Sequence, residues 1–194
     1  RIFASVEKDN GQYDLAIDIF WATGACLAIR SKDYFEVGGL DASFFAHMEE
    51  IDLCWRLNAR GRVLRCIPQS VVYHVGGATL NQESPRKTFL NFRHNLLMLY
   101  KNLPDSVFLP VYKVRWILDR VAALKFFLTG NKANAKAVLN AYDEFAVIKA
   151  NYDSVREDNM TKTTQDVIPT QFPYSILTAY YLKAKKTYSS LKNF

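Results

Sequence analysis

The sequence lacks the residue patterns that several common classes of protein require. Its three cysteines, Cys26, Cys54 and Cys66, have none of the paired spacings that bind zinc or build a disulfide framework. Because each lies in an apolar stretch, we interpret them as buried thiols of a reducing cytoplasm. No segment near Arg1 has the order of a secretory signal. Since the chain starts at Arg1 rather than Met, we expect a piece of a longer protein.

Motifs for nucleic-acid binding are also missing, although the net charge is +6. We find no zinc-finger spacing, RNP-like aromatic motif or GXXG loop, and we therefore expect no nucleic-acid partner. The basic residues are spread along the chain, with a denser group between Lys183 and Lys192. This excess suits phosphates or an acidic membrane surface. The hydrophobic content of 49% predicts a folded globular protein.

The first part of the chain predicts short strands mixed with helices. Gly38-Gly39 and Gly61 follow apolar periodic segments and indicate helix ends. β-favouring runs between turn residues indicate strands. The predicted elements are a strand at Phe20–Ile29, helices at Lys32–Val37 and Glu49–Arg60, and strands at Val63–Ile67 and Val71–His74.

From Ser84 onward the pattern predicts mostly helix. Ser84 suits an N-cap and Pro85 the first helical position, and Asn131 follows a glycine between two helices. The polar, Thr-rich stretch 158–171 is typical of a linker. The predicted helices run from Pro85 to Asn102, from Leu109 to Thr129, from Asn131 through an Ala-rich segment, and over the basic aromatic segment Phe172–Phe194.

A cluster of carboxylates opens the helix that begins near Met48. Glu49 and Asp52 are three residues apart and Asp52 and Arg56 four apart, so these side chains share a face, and Glu50 projects about 100° away. Carboxylates in a first helical turn also interact favourably with the helix dipole. Without further context, the cluster fits that structural role as well as a catalytic one.

The surrounding residues resemble a known family. The run GACLAIRSKDYFEVGGLDASFFAHMEEIDLCWRLNARG, followed by IPQSVVYHVGG, is similar to the second half of the catalytic domain of family 2 glycosyltransferases. Among these, the likeness is greatest to bacterial rhamnosyltransferase-like enzymes of surface polysaccharide synthesis. It is strongest from Phe20 to Leu103.

The resemblance implies an α+β fold: the C-terminal half of a GT-A type α/β nucleotide-sugar transferase domain, followed by a mostly helical extension. We divide the chain into an acceptor-side half of the catalytic domain at 1–83, a helical extension at 84–157, and a linker with a basic aromatic helix at 158–194. Neither the nucleotide-binding half nor its metal-binding Asp-X-Asp motif occurs in this sequence. We therefore expect the chain alone not to turn over.

The resemblance also implies an inverting transfer of a sugar from a nucleotide-sugar donor to a glycan or lipid-linked acceptor. In the family, the second carboxylate of a Glu-Asp pair is the general base, and that position is Glu50 here. Glu49 is the competing candidate and Asp52 a neighbouring catalytic candidate. A Mg²⁺ or Mn²⁺ ion is expected in the complete protein, and His74 occupies the place of a family histidine that completes the metal or diphosphate site.

Further candidates for substrate binding each have a structural alternative. Gly24 and Ala25 allow close approach of a sugar or simply form a small-residue strand. Asp41 binds the acceptor or serves as a turn residue. The remaining two are Trp55, a sugar platform or a core residue, and Arg86, a diphosphate ligand at a helix start or a solvated charge. For Trp55 the helical spacing with Ile51 and Cys54 favours the core.

Smaller roles are expected for three other residues. Arg56 is predicted to form a structural salt bridge with Asp52, and His47 and His94 to be packing or surface residues.

Two other functions remain open: a membrane-surface or assembly module, and a glycan-binding domain without catalysis, suggested by Glu rather than Asp at position 50. For peripheral membrane contact, the segment Phe172–Phe194 is the better candidate. The helix containing Phe108–Leu128 carries charges that argue against spanning.

Overall fold

The chain forms a helical assembly with one small sheet. The computed structural model describes residues 7–74 and 84–191. In chain order the elements are β1 (Ile17–Ile19), α1 (Ser31–Glu36), α2 (Glu49–Ala59), β2 (Leu64–Cys66), α3 (Pro85–Asn102), α4 (Asp105–Leu128), α5 (Lys132–Ile148), α6 (Asp153–Lys162) and α7 (Ile176–Tyr181), with 3₁₀ turns at Ala42–Phe44, Lys149–Tyr152 and Ser189–Leu191. This mostly helical architecture with short strands agrees with the α+β expectation, and the assignment to half of a GT-A domain stays a prediction.

The sheet has two antiparallel strands over the described residues. Ile17 of β1 lies opposite Cys66 of β2, so the strand predicted near position 65 is confirmed. The strands predicted at Phe20–Ile29 and Val71–His74 are wrong, because neither segment pairs with another described strand. β-favouring residues need a neighbouring ladder of hydrogen bonds to become a strand.

The helices predicted at the glycine and proline signals are confirmed. Helix α1 ends at Gly38-Gly39, where both φ angles are positive, and α2 ends before Gly61, whose φ is +74°. Helix α3 begins with Pro85, although the Ser84 side chain makes no capping hydrogen bond. The Asn131 side chain caps α5 by accepting from the backbone N–H of Asn134 at 3.3 Å.

The main core joins α2 to the helical bundle. Helix α3 packs against α5, α6 and α2, while α4 packs mainly against α5. The buried residues of this core are Phe44, Trp55, Leu96, Leu97, Met98, Phe108, Tyr142, Phe145 and Ile168. Because they come from both sides of residue 84, the two parts are packed into one body, and the division at 83/84 stays a prediction about function.

Two predictions in the C-terminal part differ from the structure in their extent. The predicted linker at 158–171 starts inside α6, where Asn159 is buried and donates to the backbone carbonyl of Lys101 at 3.2 Å. Of the helix predicted at Phe172–Phe194, only Ile176–Tyr181 is helical, and residues 192–194 lie outside the described range. The rings of Phe172 and Tyr188 pack against each other at 6.2 Å between centroids, so aromatic contacts replace helical ones there.

Two further observations bear on the sequence predictions. Cys54 is buried as expected, whereas Cys26 and Cys66 are exposed, so that part of the prediction is wrong. Cys66 is the last residue of β2, and Cys26 lies in the turn before α1. None of the helices in the described part of the chain is long and apolar enough to cross a membrane.

Candidate functional site

The loop before α2 has an unusual backbone conformation. Phe45, His47 and Met48 all have positive φ angles, of 35°, 72° and 74°, although none is a glycine. Each such residue costs on the order of 1–3 kcal/mol, and the conformation persists only where the surrounding structure holds it. Met48 is the N-cap of α2, so this loop sets the position of the Glu49 and Glu50 side chains that follow.

A buried histidine holds the loop. The Nδ1 atom of His94 lies 3.0 Å from the carbonyl oxygens of Ala46 and His47 and donates to them, because carbonyls only accept. The other ring nitrogen, Nε2, accepts from the guanidinium of Arg93 at 2.6 Å. These partners define a neutral imidazole. Burial lowers the pKa of His94, which agrees with that neutral form.

The guanidinium that contacts His94 is itself anchored. Arg93 forms an ion pair with Glu144 of α5, and the ring of Phe44 lies 4.9 Å from the His94 ring between centroids. Phe44 is fully buried. The bundle therefore fixes the loop through both polar and apolar contacts.

The first turn of α2 carries two carboxylates with unsatisfied oxygens. The Oε2 atoms of Glu49 and Glu50 are buried and have no hydrogen-bond partner in the described part of the chain. Burial raises the pKa of Glu50, and the neighbouring charge of Glu49 raises it further. A buried carboxylate oxygen without a partner is costly, and in a native structure it is a place to expect a ligand or a catalytic role.

Gly24 faces Glu50 across a short gap. A methyl group built on Gly24 would lie 3.9 Å from Cβ of Glu50. Gly24 and Glu50 are therefore neighbours, and the role of Gly24 in binding a sugar stays a prediction. Ala25 follows in the same exposed turn, where its backbone N–H donates weakly to the Thr23 hydroxyl at 3.5 Å. No contact of Ala25 with the carboxylates is seen.

Asp52, in the same first turn of α2, has a different environment. It is fully buried, and its carboxylate accepts from Arg56 Nη2 at 2.8 Å, Lys101 Nζ at 2.9 Å and Asn102 Nδ2 at 2.8 Å. The predicted Asp52–Arg56 salt bridge is confirmed. With no exposed surface, Asp52 cannot contact a substrate directly, so its catalytic candidacy gives way to a structural role.

The ion network around Asp52 extends to the loop after α1. Lys101 Nζ also donates to Asp41 at 2.7 Å, and Arg56 donates to the carbonyl of Gly39 at 2.8 Å and to that of Val37. Burial raises the pKa of Asp41, but hydrogen bonds from Lys101 and Ser43 outweigh it and lower the pKa overall. Of the two alternatives for Asp41, the structure supports the turn residue.

The remaining predicted residues lie in three different places. Trp55 is buried in the core, with its ring 5.4 Å from that of Phe20 between centroids, so the sugar-platform alternative is wrong and the core alternative is confirmed. Arg86 is exposed and places its guanidinium 5.5 Å from the Phe45 ring centroid, at the edge of the strained loop. His74 is exposed and lies outside any strand, and its role as a metal ligand stays a prediction.

The described residues alone do not supply a metal centre. They include no group of three or more His, Cys, Asp or Glu side chains that could hold a metal ion. The divalent ion stays an expectation for the complete protein.

Sequence reasoning missed the polar side chains that α3 directs into the core. His94, Lys101 and Asn102 are buried together with Leu97 and Met98 on the same helix. The spacing of His94, Leu97, Met98 and Lys101 is that of one helical face, so two polar residues stand among apolar ones. That interruption was the available signal, because buried polar groups need partners elsewhere.

Similarity to known proteins covers part of the chain. A stretch of 69 residues, 36% of this chain and 25% of the relative, is 32% identical to rhamnosyltransferase WbbL of Escherichia coli strain K12. A stretch of 54 residues is 37% identical to the N-acetylglucosaminyl-diphospho-decaprenol L-rhamnosyltransferase of Mycobacterium tuberculosis, covering 28% of this chain and 18% of that protein. The chain contains a glycosyltransferase-like region.

The extent of this similarity is limited. The chain spans a quarter of the length of the first relative and less than a fifth of the second. No protein-family profile matches the chain, and no solved structure matches it. Substrates and activity of a complete protein are therefore matters for a proposal.

Proposed function

We propose that this chain supplies the acceptor side of an inverting glycosyltransferase site, with Glu50 as the general base. The observation that carries the proposal is the Glu50 carboxylate, which has a buried oxygen without a partner in the described residues and belongs to a side chain next to Gly24. The partial similarity to two rhamnosyltransferases supports the reaction class.

In the proposed reaction, one displacement moves the sugar. The acceptor hydroxyl oxygen attacks the anomeric carbon of the donor while the bond from that carbon to the nucleoside diphosphate breaks. Glu50 takes the hydroxyl proton as the new bond forms. Inversion at the anomeric carbon follows because attack and departure occur on opposite faces.

The environment of Glu50 suits this role. Its pKa is raised by burial, and a base whose pKa lies closer to the working pH transfers protons more effectively. The strained loop that ends at Met48, held by His94, fixes the backbone from which Glu50 projects. A divalent metal, if it is bound through residues outside the described ranges, would stabilise the charge on the leaving diphosphate.

The donor and acceptor classes follow from the relatives. Both relatives are named rhamnosyltransferases, and the second is named for a diphosphate-linked polyprenol acceptor. We propose a nucleotide-linked deoxyhexose as donor and a lipid-linked glycan as acceptor.

The test compares Glu50→Gln with its matched neighbour Glu49→Gln in the full-length gene product. Transfer from nucleoside-diphosphate rhamnose to N-acetylglucosaminyl-diphospho-polyprenol is measured together with donor binding by calorimetry. We expect Glu50→Gln to lower kcat by about 10²–10⁴ while donor binding is kept. Glu49→Gln should lower kcat much less.

Two results would contradict the proposal. Full activity of Glu50→Gln with loss of activity in Glu49→Gln would move the base to Glu49. Full activity in both variants would remove carboxylate catalysis from this turn altogether.

A further inference from the structure

Helix α4 is apolar on its outer side as well as on the side that packs inward, where Phe108 and Ala123 are buried. On the side that packs against α5, Asp119 is buried and accepts from Arg115 at 3.1 Å and from the Tyr142 hydroxyl at 2.7 Å. The opposite side is apolar and exposed. The residues of this outer stripe are Val114 (57% exposed), Ile117 (58%), Leu118 (37%), Val121 (59%), Leu124 (55%) and Leu128 (74%).

The stripe is continuous along the helix. At about 100° per residue, its members fall within a sector of roughly 120° centred opposite Asp119. From Val114 to Leu128 it runs about 21 Å at 1.5 Å per residue. Exposed apolar patches of this extent mark sites that bind a partner or a membrane. Because no described helix could cross a membrane, a bilayer would have to meet α4 along its side.

The charges beside the stripe are all of one sign. Lys113 and Lys125 are exposed, and they lie on opposite sides of the centre of the stripe, Lys113 about 80° from it and Lys125 about 40°. At the end of the helix, the Lys132 ammonium lies 5.7 Å from the ring centroid of Phe127. Asp119 is the one acidic residue between Ser106 and Leu128, and it faces inward.

The two lysines beside the stripe, Lys113 and Lys125, have long aliphatic stems. Lysine side chains beside an apolar stripe can extend toward headgroup phosphates while their methylene groups stay with the lipid.

We propose that the outer face of α4 docks on an anionic lipid surface, with the helix lying in the plane of the bilayer. The positive charge of this face favours an anionic lipid surface over a second copy of the chain. Two copies of the face would bring cations together with no carboxylate to balance them. An acidic bilayer supplies the missing negative charge. The docking does not depend on the chemistry at Glu50.

The experiment measures binding of the full-length gene product to vesicles of phosphatidylcholine, with and without phosphatidylglycerol. We expect binding to the anionic vesicles that weakens as salt is added. Val121→Glu with Leu124→Glu should lower the binding more than tenfold. The matched control places glutamate at exposed apolar positions on other helices, Val147 and Val155, and should bind as the parent does.

A second pair of variants leaves the apolar stripe intact. Lys113→Gln with Lys125→Gln should lower binding about 25-fold, since each lysine near an anionic surface contributes about fivefold. Lys136→Gln with Lys149→Gln, at exposed positions of α5 and the turn after it, is the control. Circular dichroism confirms that each variant is folded.

Three results would overturn the proposal. The first is equal binding by the α4 variants and the controls. The second is no vesicle binding by the parent. The third is a dimer in sedimentation that Val121→Glu with Leu124→Glu dissociates while vesicle binding is absent. The Glu50→Gln variant should bind vesicles normally, so failure of docking and failure of the catalytic proposal are separable.

Discussion

The first turn of α2 holds its three carboxylates in two opposite environments. Glu49 and Glu50 in the first turn each have a buried oxygen with no partner in the described residues. Asp52, only two residues after Glu50, receives hydrogen bonds from Arg56, Lys101 and Asn102. The contrast separates a group that stabilises the fold from groups that are held at a cost and are available to a ligand.

The satisfied and the unsatisfied carboxylates are connected through the packing of α2 against α3. The Asp52 network ties α2 to α3 and to the loop at Gly39, and His94 on α3 ties down the loop before α2. The satisfied buried groups therefore hold the unsatisfied ones in place. Sites that must keep a fixed geometry need such support from rigid elements.

Removing the satisfied carboxylate should have the largest effect on stability. Asp52→Ala would leave the Arg56 guanidinium and the Lys101 ammonium buried without their shared counter-ion. We expect the free energy of unfolding to fall by about 3–5 kcal/mol. Urea denaturation followed by circular dichroism measures this.

The matched control is Asp18→Ala, which removes an ion pair with Arg65 on the exposed sheet. That pair should contribute no more than about 1 kcal/mol. Equal losses of unfolding free energy in the two variants would mean that the Asp52 network does not hold α2 against α3.

Removing the His94 side chain, which holds the loop before α2, should have an intermediate effect on stability. His94→Leu would leave the carbonyls of Ala46 and His47 without this donor and Arg93 without this acceptor. We expect a loss of about 1–3 kcal/mol in unfolding free energy. If His94 positions the loop, proteolysis near Met48 should also become faster. A loss of stability without faster proteolysis would contradict this role of His94.

The same histidine predicts a dependence on pH. Burial lowers the pKa of His94 below its ordinary value of 6.5, so the unfolded chain takes up a proton at a pH where the folded chain does not. The stability contributed by neutral His94 is present above about pH 6.5. It is lost as the pH falls toward the pKa of His94 in the folded chain. The parent should show this loss and His94→Leu should lack it. Identical pH profiles would exclude His94 as the source.

The smallest effect on the free energy of unfolding should come from changing Glu50. The pKa of Glu50 is raised above its ordinary value of 4.5, mainly by burial, so its contribution favours the fold below that pH and is lost as pH rises through the folded pKa. We expect Glu50→Gln to gain stability relative to the parent between pH 4 and pH 7, by roughly 0.5–1 kcal/mol because solvent screening limits the cost.

Thermal unfolding at several pH values measures this difference. Glu49→Gln, in the same helical turn, controls for the lost interaction with the helix dipole. A difference between Glu50→Gln and the parent that does not change with pH would show that ionisation of Glu50 costs the fold nothing.

The sequence allowed the helices to be predicted well and the strands poorly. Glycines at 38, 39 and 61 and Pro85 act on the local backbone, so their helix boundaries could be read directly. The run Phe20–Ile29 has β-favouring residues, but Leu27 and Ile29 pack against Val37, Leu53 and Leu57 without a neighbouring strand. Strand formation depends on a distant partner, which a local pattern does not report.

For the candidate site, the sequence by itself determined the chemistry of the α2 turn. It supplied adjacent carboxylates, the glycine at position 24 and the Asp52–Arg56 spacing, because these are matters of residue type and helical period. It left the roles of Asp41, Trp55 and Glu50 open.

Only the tertiary structure decided which of these groups are satisfied. Lys101 and His94 lie about fifty residues along the chain from the groups they bind, and their hydrogen bonds exist only because α3 packs beside α2. The same holds for α4, which has apolar residues on both sides, so that only its packing against α5 on the Asp119 side decides which apolar residues stay exposed. Burial and pairing are properties of packing, and packing is decided by contacts that are distant in sequence.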